Sequence, residues 1–445
     1  MSLFKMFAQA ATFRHGVHPP EHKHATEGLA IERMGFVPEY VLPLSQHIGA
    51  PSKPVVSVGD KVVRGQLLAS PGGFISTSLH APVTGTVTAI ELRRHPNGKE
   101  ALSLVLTTDP FASQRFVPTG PLGIPNTTAE LVQRVQDAGI VGLGGAAFPS
   151  HVKLAVPEGK KVRFVLLNGC ECEPYLTCDH RVMVERPDAV VRGLRIAMAQ
   201  LNAEKAWIGV ENNKPDAIKA LRNAADGDPT IEVVGLEVKY PQGAEKMLID
   251  AVLHKEVPSG KLPLDLEIVV HNVGTAAALA DLFDAGTPLI ERVVTVTGPG
   301  IRRPANVLVP IGTPVRALVE HCGGLLPGVR QVILGGPMMG MAQKTLDVPV
   351  TKGTSGVLAL IDPARDADEQ PCIRCGRCLE ACPMHLNPQR LALMVRNERA
   401  AEVEALHITD CFECASCSFA CPSNLPLVQW MRVGKGLIKQ KKAVS

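Results

Sequence analysis

Apolar positions along residues 125–255 change repeatedly between a helical and a strand period. Amphipathic stretches with a period of about 3.6 residues predict helices, and they read TTAELVQRVQDAG, RPDAVVRGLRIAMAQLNA, KPDAIKALRNAA and QGAEKMLIDAVLHK. The apolar runs between them predict buried strands, and they read KVRFVLLNG, AWIGV and IEVVGLEVK. Strands that alternate with helices favour an α/β layer on a largely parallel sheet. Ligands of such sheets bind beyond the carboxyl ends of the strands.

A compact β module is predicted before this layer, over residues 40–105. Its short alternating runs, PVVSVGDKVVRGQLLAS and HAPVTGTVTAIEL, are broken by Gly-Asp and Thr-Gly turns. They resemble the two halves of a lipoyl- or biotinyl-type barrel-sandwich domain. Such carriers need a lysine in the hairpin between the halves, but no lysine occurs from Gln66 to Gly85. We therefore expect a structural module without a covalent prosthetic group.

A small α+β module of β-grasp type is predicted after the α/β layer. The helical stretch HNVGTAAALADLF is followed by the strands VVTVTG, NVLVP and QVILGG, and Thr313-Pro314 begins a short helix. The fold class is therefore multidomain α/β plus α+β. The predicted segments are an N-terminal segment (1–39), the barrel-sandwich β domain (40–120), the α/β domain (121–264), the β-grasp domain (265–361), a cysteine-rich helical domain (362–430) and a basic tail (431–445).

Eight of the twelve cysteines form two runs with the same spacing, 39 residues apart. Each run reads C-x2-C-x2-C-x3-C followed by proline, which is the pattern of ferredoxins with two [4Fe–4S] clusters. Three thiolates of a run hold one cluster, and the fourth, on a following helical turn, reaches the other. We assign the first cluster to Cys372, Cys375, Cys378 and Cys421. We assign the second cluster to Cys411, Cys414, Cys417 and Cys382.

Zinc is the alternative metal for so many thiols. Zinc sites use paired C-x2-C knuckles that supply four ligands in total, and two runs of four, each closed by Cys-Pro, fit that pattern poorly. Two loop residues, Ile373 and Phe412, are expected to shield the clusters from water. The other four cysteines lack a cluster spacing, and we expect packing or local roles for Cys170, Cys172, Cys178 and Cys322.

Composition narrows the classes of function further. The chain has 445 residues, 45% of them hydrophobic and 20% charged, as in a folded soluble protein. Its net charge of +3 is too small to favour nucleic acid as a partner. No run of about 18 apolar residues predicts a membrane span, and the start, MSLFKMFAQAATFRHG, lacks the apolar core of a secretory signal. We expect a cytosolic or peripheral membrane protein, in which clustered thiols bind metal.

Three segments at loop positions of the α/β layer are candidate ligand contacts. The first, GLGGAAFP at 142–149, has small residues that let a planar ligand or a phosphate approach the backbone. The second, at 168–173, follows a strand, and the third, at 242–245, opens a helix whose first N–H groups could face an anion. The first also satisfies a loose dinucleotide fingerprint. Because a helix precedes it instead of a strand, an ordinary Rossmann site is disfavoured.

The order of these segments resembles the C subunits of the Rnf ion-translocating electron-transport complex. The matching pieces are FRHGVHPPEHKHAT, the barrel-sandwich region, GLGGAAFP, NGCECEP, YPQGAEK, HNVGT and the doubled cysteine motif, which together span essentially the whole chain. The middle third is also similar to the NADH- and flavin-binding subunit of respiratory complex I. The resemblance implies a flavin-binding α/β domain, an SLBB-like β-grasp domain and a C-terminal ferredoxin-like α-helical domain with two clusters.

The resemblance to complex I also implies site residues, position by position. Those expected around the flavin are Gly142, Gly144, Gly145, Asn168, Glu171, Gly243 and Glu245. Those expected at NADH are Phe148 and Glu173, those expected at the FMN phosphate are Asn272 and Thr275, and Lys153 is carried over as a further contact. The chain departs from the complex I pattern at Ala147, where the pattern has glycine, and at Cys170 and Ala244, where it has acidic residues.

The implied function is electron transfer between NAD(H), through FMN, and two [4Fe–4S] clusters, as an oxidoreductase subunit. The implied partners are the integral and peripheral membrane subunits of the same complex, and indirectly ferredoxin, with electron flow coupled to ion translocation. The implied location is the cytoplasmic face of the bacterial inner membrane. The tail could touch anionic lipid, although we expect it to be solvated. Three alternatives stay open: a flavin and iron–sulfur cobalamin reductase of a microcompartment, an iron–sulfur adapter without flavin, and a zinc-binding scaffold.

Overall fold

The computed structural model of the chain describes residues 10–361 and 368–444. The first nine residues, which begin the segment predicted to lack a secretory signal, lie outside the described residues. So does the polar stretch 362–367, which was predicted to lead into the cysteine-rich domain. Within the described ranges, no helix is both long enough and apolar enough to span a bilayer.

Eight short strands occupy the first part of the chain: β1 (Ile31–Arg33), β2 (Glu39–Pro43), β3 (Lys53–Pro54), β4 (Lys61–Val62), β5 (Leu67–Ser70), β6 (Leu79–His80), β7 (Gly85–Arg94) and β8 (Glu100–Thr108). Seven of them form two antiparallel sheets, with the orders β2-β8-β7-β4 and β3-β5-β6. Leu42, Leu68 and Leu104 are fully buried in a shared core. The predicted barrel-sandwich module is confirmed.

The α/β layer contains α1 (Thr128–Asp137), α2 (Ser150–Leu154), β9 (Phe164–Asn168), α3 (Cys178–Glu185), α4 (Pro187–Leu201), β10 (Lys205–Glu211), α5 (Pro215–Ala224), β11 (Ile231–Leu236), α6 (Glu245–Leu253), β12 (Ile268–Asn272) and α7 (Val273–Ala285). Its sheet is parallel throughout, with the order β11-β10-β9-β12. Helices α4, α5 and α7 share a core with Val165 and Leu167 on one face of β9. Helix α6 packs on the other face, with Leu166. The predicted alternation of strands and helices is confirmed.

The boundary that we placed between residues 264 and 265 divides this sheet. Strand β12 pairs in parallel with β9, and α7 packs closely on α4. The α/β domain therefore continues through α7, and the β-grasp domain begins after it. The order of strands reverses between β9 and β12, because β10 and β11 extend to the opposite side of β9. Such a switch point opens a crevice at the carboxyl ends of the two strands.

The β-grasp domain contains β13 (Glu291–Thr297), β14 (Ala305–Pro310), α8 (Val315–His321), β15 (Gln331–Leu334), β16 (Met341–Gln343) and β17 (Gly356–Leu360). Its mixed sheet has the order β1-β14-β13-β17-β15-β16. Val315 and Leu318 of α8 pack into its core beside Val294 and Val307. Strand β1, from the predicted N-terminal segment, completes the sheet by pairing in parallel with β14.

The C-terminal domain is helical, with α9 (Arg377–Glu380), α10 (Pro388–Arg396), α11 (Ala400–Ala405), α12 (Ser416–Phe419) and α13 (Leu427–Val444). It has its own small core, which includes Leu391, Val395, Val403 and Ile408. Two short 3-10 helices complete the described structure, at Pro263–Leu266 and Ile408–Asp410.

The prediction of a solvated basic tail over residues 431–445 is wrong for the described part of that segment, which continues α13. Met431 and Ile438 are buried in the domain core. Gly434 lies so close that a Cβ there would be 2.5 Å from Val395 Cγ2. Leu427, Met431, Gly434 and Ile438 follow a helical spacing, so α13 is a packed helix. The exposed basic residues Arg432, Lys439 and Lys441 lie on its outer face.

Candidate functional site

Four separately predicted segments meet at the switch point between β9 and β12. Asn168 and Asn272 end these strands and are paired directly in the parallel register. Gly144 lies beside Asn272, since a Cβ on the glycine would be 3.4 Å from Asn272 Nδ2. Asn168 Nδ2 donates to the carbonyl oxygen of Gly243 at 2.7 Å. The structure therefore brings the glycine loop, the ends of both strands and the start of α6 to one crevice.

The glycine loop joins α1 to α2 and presents exposed backbone. Gly145 has a φ of +103°, which only glycine adopts readily. The N–H of Gly142 donates to Phe148 O at 2.8 Å, which closes the loop. The N–H of Leu143 donates to Thr275 Oγ1 at 2.9 Å, which ties the loop to the first turn of α7. An exposed backbone loop that is held at both ends suits a flat ligand or a phosphate.

Ala147 shows how the chain accommodates its departure from the complex I pattern. It adopts the left-handed conformation with φ +48°, which favours the glycine of that pattern. Its neighbour in space is Gly353, where an added Cβ would lie 3.2 Å from Ala147 Cβ. The missing side chain of Gly353 gives the alanine methyl its space.

A buried ammonium group organises the loop that follows β9. Lys23 Nζ donates to the carbonyl oxygens of Glu171, Glu173 and Leu176 at 2.9, 2.9 and 2.6 Å. Burial lowers the pKa of Lys23. Since three carbonyls converge on one donor, Lys23 determines the path of the whole loop.

Lys214 supports the same loop from behind. Its Nζ donates to Cys170 O at 2.7 Å and to Glu211 Oε2 at 3.0 Å, and both side chains of this ion pair are buried. Sequence reasoning missed Lys23 and Lys214. Neither lies in a recognisable metal or nucleotide motif, and a buried lysine has no signature of its own in a polar segment.

Glu171, expected at the flavin, binds the first turn of α3. Its carboxylate accepts from the N–H groups of Asp179 and His180 at 2.8 and 3.0 Å. Asn272 Nδ2 donates to the Asp179 carboxylate at 2.6 Å. Burial raises the pKa of Asp179 to about 7, and the nearby Glu171 adds to the rise. Glu171 also lies near Cys178, but both of its carboxylate oxygens already cap the helix.

Glu173, expected at NADH, connects two domains in this structure. Its carboxylate accepts from the N–H groups of Met338 and Met339, in the β-grasp domain, at 3.0 and 2.7 Å. Burial raises the pKa of Glu173 to about 7. The geometry of the loop after β9 therefore depends on a contact from the next domain, which no local pattern in the sequence indicates.

The rim and floor of the crevice carry the remaining predicted residues. Lys153 Nζ is 2.6 Å from Glu245 Oε1 and 2.9 Å from Val270 O, and this ion pair is half-exposed. Gln242 is fully buried next to Gly243, and neither atom of its side-chain amide has a partner among the described residues. An orphaned buried amide is a group that the polar edge of a bound ring would satisfy. The residues present at the crevice thus fit a flavin.

The cysteines near the carboxyl end form two groups in space. One cavity is lined by four thiols together with Phe412 and Met431, and the thiols are those of Cys382, Cys411, Cys414 and Cys417. Burial raises the pKa of Cys382 to about 11, with Cys414 and Cys411 as its charged neighbours. Burial also raises the pKa of Cys378, whose charged neighbours are Cys421 and Cys372. The first group contains the four thiols that the spacing predicts for one iron–sulfur cluster, and the second brings together three of the four thiols predicted for the other.

Ile373 departs from its predicted role. It was expected to shield a cluster, but its side chain is 68% exposed. Phe412, at the same place in the second run, is partly buried against Tyr240 and Cys414. The spacing that defines the motif does not determine which copy of it the rest of the chain covers.

Four families match the chain in order. Their descriptions are RnfC barrel sandwich hybrid domain (residues 11–110), Nuo51 FMN-binding domain (135–281), SLBB domain (293–342) and 4Fe-4S dicluster domain (371–425). The FMN-binding match contains β9 to β12 and most of α7, in agreement with the extended α/β domain.

Relatives match over most of their length. The C subunit of the proton-translocating ferredoxin:NAD(+) oxidoreductase complex of Clostridium ljungdahlii is 46% identical, over 88% of this chain and 86% of the relative. Its counterpart from the Na(+)-translocating complex of Acetobacterium woodii is also 46% identical, over 87% and 88%. The C subunit of the ion-translocating oxidoreductase complex of Rhodobacter capsulatus is 41% identical, over 98% and 85%.

Proposed function

The chain belongs to the family of C subunits of ion-translocating oxidoreductase complexes of the Rnf type, and we propose that it transfers electrons between NAD(H) and the other subunits of such a complex. The observation that carries this proposal is the presence, in one chain, of a flavin-type crevice and a dicluster domain in which the cysteines gather in two groups. FMN held in the crevice would supply the conversion between the two-electron chemistry of a hydride and the one-electron chemistry of iron–sulfur clusters.

The residues of the crevice have distinct tasks in this proposal. Gly142, Gly144 and Gly145 bring the loop backbone to the ring, with open space at the Cβ position of Gly145, and Gly243 lets the segment before α6 pack closely on Cys172 at the edge of the same crevice. Asn272 is the N-cap of α7, and its Oδ1 accepts from the N–H groups of Gly274 and Thr275. The phosphate would lie at the positive end of the helix that this cap holds in place. These assignments are supported by the convergence of the segments at one switch point.

Other residues of the chain act on the geometry of the site. Thr275 fixes the glycine loop through Leu143, and Asn168 fixes the start of α6 through Gly243. Glu171 and Glu173 hold the loop after β9 at α3 and at the β-grasp domain. For Phe148, Lys153 and Glu245 we propose contact with NADH or flavin at the open rim.

The partners and the location can be proposed more finely than family membership states them. Membership makes the chain one member of a complex that is built from several different subunits. We propose that its partners are integral and peripheral membrane subunits, that ferredoxin exchanges electrons with it indirectly, and that it lies at the cytoplasmic face of the inner membrane. The names of the relatives, as ferredoxin:NAD(+) oxidoreductases that translocate protons or Na(+), support this.

The proposal is tested on protein purified without oxygen. We expect about eight iron atoms per chain from two clusters, bound FMN, and loss of both flavin and cluster absorbance when NADH is added. A protein with clusters but no flavin, and with no response to NADH, would instead be an adapter. Copurification with shell proteins instead of membrane subunits would favour the cobalamin reductase.

The flavin assignment is tested by Gly145→Ala. Because a Cβ disfavours the φ of +103° by about 1–2 kcal/mol, the free loop should relax to another conformation and would have to return from it on binding. FMN should therefore bind about tenfold more weakly, while the iron content stays unchanged. The matched control is Gly98→Ala, at a glycine of positive φ in the β7–β8 hairpin. Equal FMN affinities in the two variants would contradict a role of the glycine loop.

A further inference from the structure

The doubled cysteine motif provides an internal comparison. In both runs the residue before the second cysteine has a left-handed backbone conformation. These residues are Arg374, with φ +56°, and Glu413, with φ +63°. The two ligand loops therefore share a backbone conformation. A difference in the surroundings of the two loops therefore reflects which parts of the chain pack against each of them.

The loop of the second run is packed against the flavin domain. Tyr240, which is fully buried, donates its hydroxyl to Cys414 O at 2.8 Å. The same tyrosine lies three residues before Gly243, and it shares a cluster of apolar side chains with Cys172 and Phe412. One short segment thus contacts both the crevice and this ligand loop.

Glu413, the charged residue in the ligand loop of the second run, is also covered by neighbouring side chains. Glu413 accepts hydrogen bonds from Lys435 Nζ at 2.7 Å and from Arg432 Nε at 3.0 Å. Ser416, which corresponds to Arg377 in the first run, is fully buried. The second run therefore has no face that is open to another protein among these positions.

The ligand loop of the first run is exposed to solvent. Cys372 and Cys375 are exposed, as are Arg374 and Arg377. Ile373, between them, is 68% exposed, and Leu379 is 38% exposed. The exposed surface thus combines apolar side chains with two arginines, next to the two predicted cluster ligands Cys372 and Cys375.

A shallow cavity continues this surface towards the fourth ligand of the same set. It has a volume of about 460 Å³, and its lining includes Arg377, Phe419 and Cys421. Between Cys372 and Cys378 both charged residues are arginines, whereas the exposed acids Asp368, Glu369 and Glu380 flank the loop, and Glu369 is paired with Arg396 at 3.9 Å. A partner with an acidic surface is the one that this charge favours.

We propose that the site of Cys372, Cys375, Cys378 and Cys421 is the outer electron site, onto which a redox protein with an acidic face docks at Ile373, Arg374 and Arg377. The site of Cys382, Cys411, Cys414 and Cys417 is the inner one, held against the flavin crevice by Tyr240. This inference rests on the proposed function, because it takes the crevice as the place where NADH reacts. For each NADH oxidised to NAD⁺ and a proton, two one-electron centres of the partner protein are reduced.

The order of the two sites is tested by EPR on the cysteine variants. In Cys375→Ser, the remaining signal should still appear when NADH is added. In Cys414→Ser, the remaining signal should appear with dithionite, which shows that the outer site is intact, but not with NADH. Reduction by NADH in Cys414→Ser, or its loss in Cys375→Ser, would overturn the order.

The exposure of the outer site is tested without NADH, so that it is decided even if the proposed function fails. The anion chromium(III) tris-oxalate is added to the dithionite-reduced wild type. It should broaden the signal that Cys375→Ser lacks, and leave the other signal sharp. Equal broadening of both signals would refute the exposed position of the first run.

The docking surface is tested by reversing its charge. In Arg374→Glu/Arg377→Glu, broadening by the chromium anion should fall several-fold, and electron transfer from the holoprotein to the rest of the complex in membranes should fall at least tenfold. The matched control is Arg94→Glu, an exposed arginine in the barrel-sandwich domain, which should behave as wild type. Unchanged transfer in the double variant, with both cluster signals present, would rule out this docking face.

Discussion

Single buried charges hold the ligand loops of this protein in position, and Lys23 is the clearest case. Replacing it by methionine leaves the carbonyls of Glu171, Glu173 and Leu176 without their common donor. Since each buried unpaired group costs about 1–3 kcal/mol, we expect Lys23→Met to lose at least about 3 kcal/mol of stability and to bind FMN less tightly. Chemical unfolding and the flavin content of the oxygen-free holoprotein measure the two effects.

The control for this prediction is Lys99→Met, at an exposed lysine in the β7–β8 hairpin. A substitution at such a place changes stability by about 0.5 kcal/mol or less. If Lys23→Met were as mild as Lys99→Met, the loop after β9 would not depend on the ammonium group.

Glu173 should make the stability of the protein depend on pH. Its pKa is raised to about 7 by burial, so between about pH 4.5 and 7 the folded chain keeps a proton that the unfolded chain releases. Its contribution to stability is complete below the unfolded pKa and is lost as the pH rises through the folded pKa. We expect the melting temperature to fall from about pH 4.5 to about pH 7, and to fall less steeply in Glu173→Gln.

Asp179, whose pKa is also raised to about 7, contributes to the pH dependence of stability in the same window. The test is therefore the difference between the curves of melting temperature against pH for the wild type and for Glu173→Gln. Parallel curves for the wild type and Glu173→Gln would show that this carboxyl titrates normally. The two N–H donors of Met338 and Met339 would then be the dominant influence on it.

Residues were predictable from the sequence where the chemistry imposes a spacing. The eight cysteines are of this kind, because a cluster of fixed size sets the distance between its ligands along the chain. Glu171 and Glu173 were located by resemblance, but their partners were not. Those partners lie on α3 and on the β-grasp domain, and long-range contacts of single polar groups leave no periodic trace in a sequence.

At the scale of elements, the contact of α4 with α7 holds the start of α7 at the crevice. Gly193 lies at this crossing, and a Cβ there would be 1.8 Å from Ala276 O. Gly193→Ala must separate the helices, which we expect to cost about 3 kcal/mol. It should also weaken FMN binding, because α7 begins directly after Asn272. Unfolding in denaturant and titration with FMN measure both changes.

A matched helical control is Gly436→Ala in α13. No atom lies within 4 Å of the position of its Cβ, so this variant should gain about 0.5–1 kcal/mol from helix propensity. If both variants were stabilised, the close approach of α4 and α7 would not be essential.

Most helices and strands were predictable, because their apolar positions repeat with one period and their ends carry proline, glycine or polar caps. Three elements show the limits. Strand β1 has only three residues, too few for a period. Strand β12 has the pattern of any buried strand, and only its pairing with β9 reveals its domain. Helix α13 carries enough lysine to read as a tail, although its spaced apolar residues fill a core.

At the scale of the whole molecule, buried polar groups join the domains. Lys352, in the β-grasp domain, donates to Ser78 O of the barrel-sandwich module and to Gly139 O at the end of α1, both at 2.7 Å. Burial lowers the pKa of Lys352 to about 7. Together with the contact of Glu173 with the β-grasp domain, this makes the first three domains one body around the crevice. The C-terminal domain joins that body at separate places: Tyr240 contacts Cys414, Ser259 and Gly260 donate to Asp410, and His15 contacts Leu379 and His385.

Removal of iron should therefore separate the molecule into two parts of different stability. The core of the C-terminal domain is small and includes Cys417 and Cys421, so much of its folding energy comes from the clusters that bind these thiols. In protein treated with an iron chelator, amides of residues 371–441 should exchange rapidly with solvent, whereas those of β9, β10 and α4 should stay protected. Hydrogen exchange measured by mass spectrometry before and after chelation decides this. Because unfolding would then occur in two steps, rebuilding the clusters should restore only the C-terminal protection, and protection that survived chelation would mean that this domain folds on its apolar core alone.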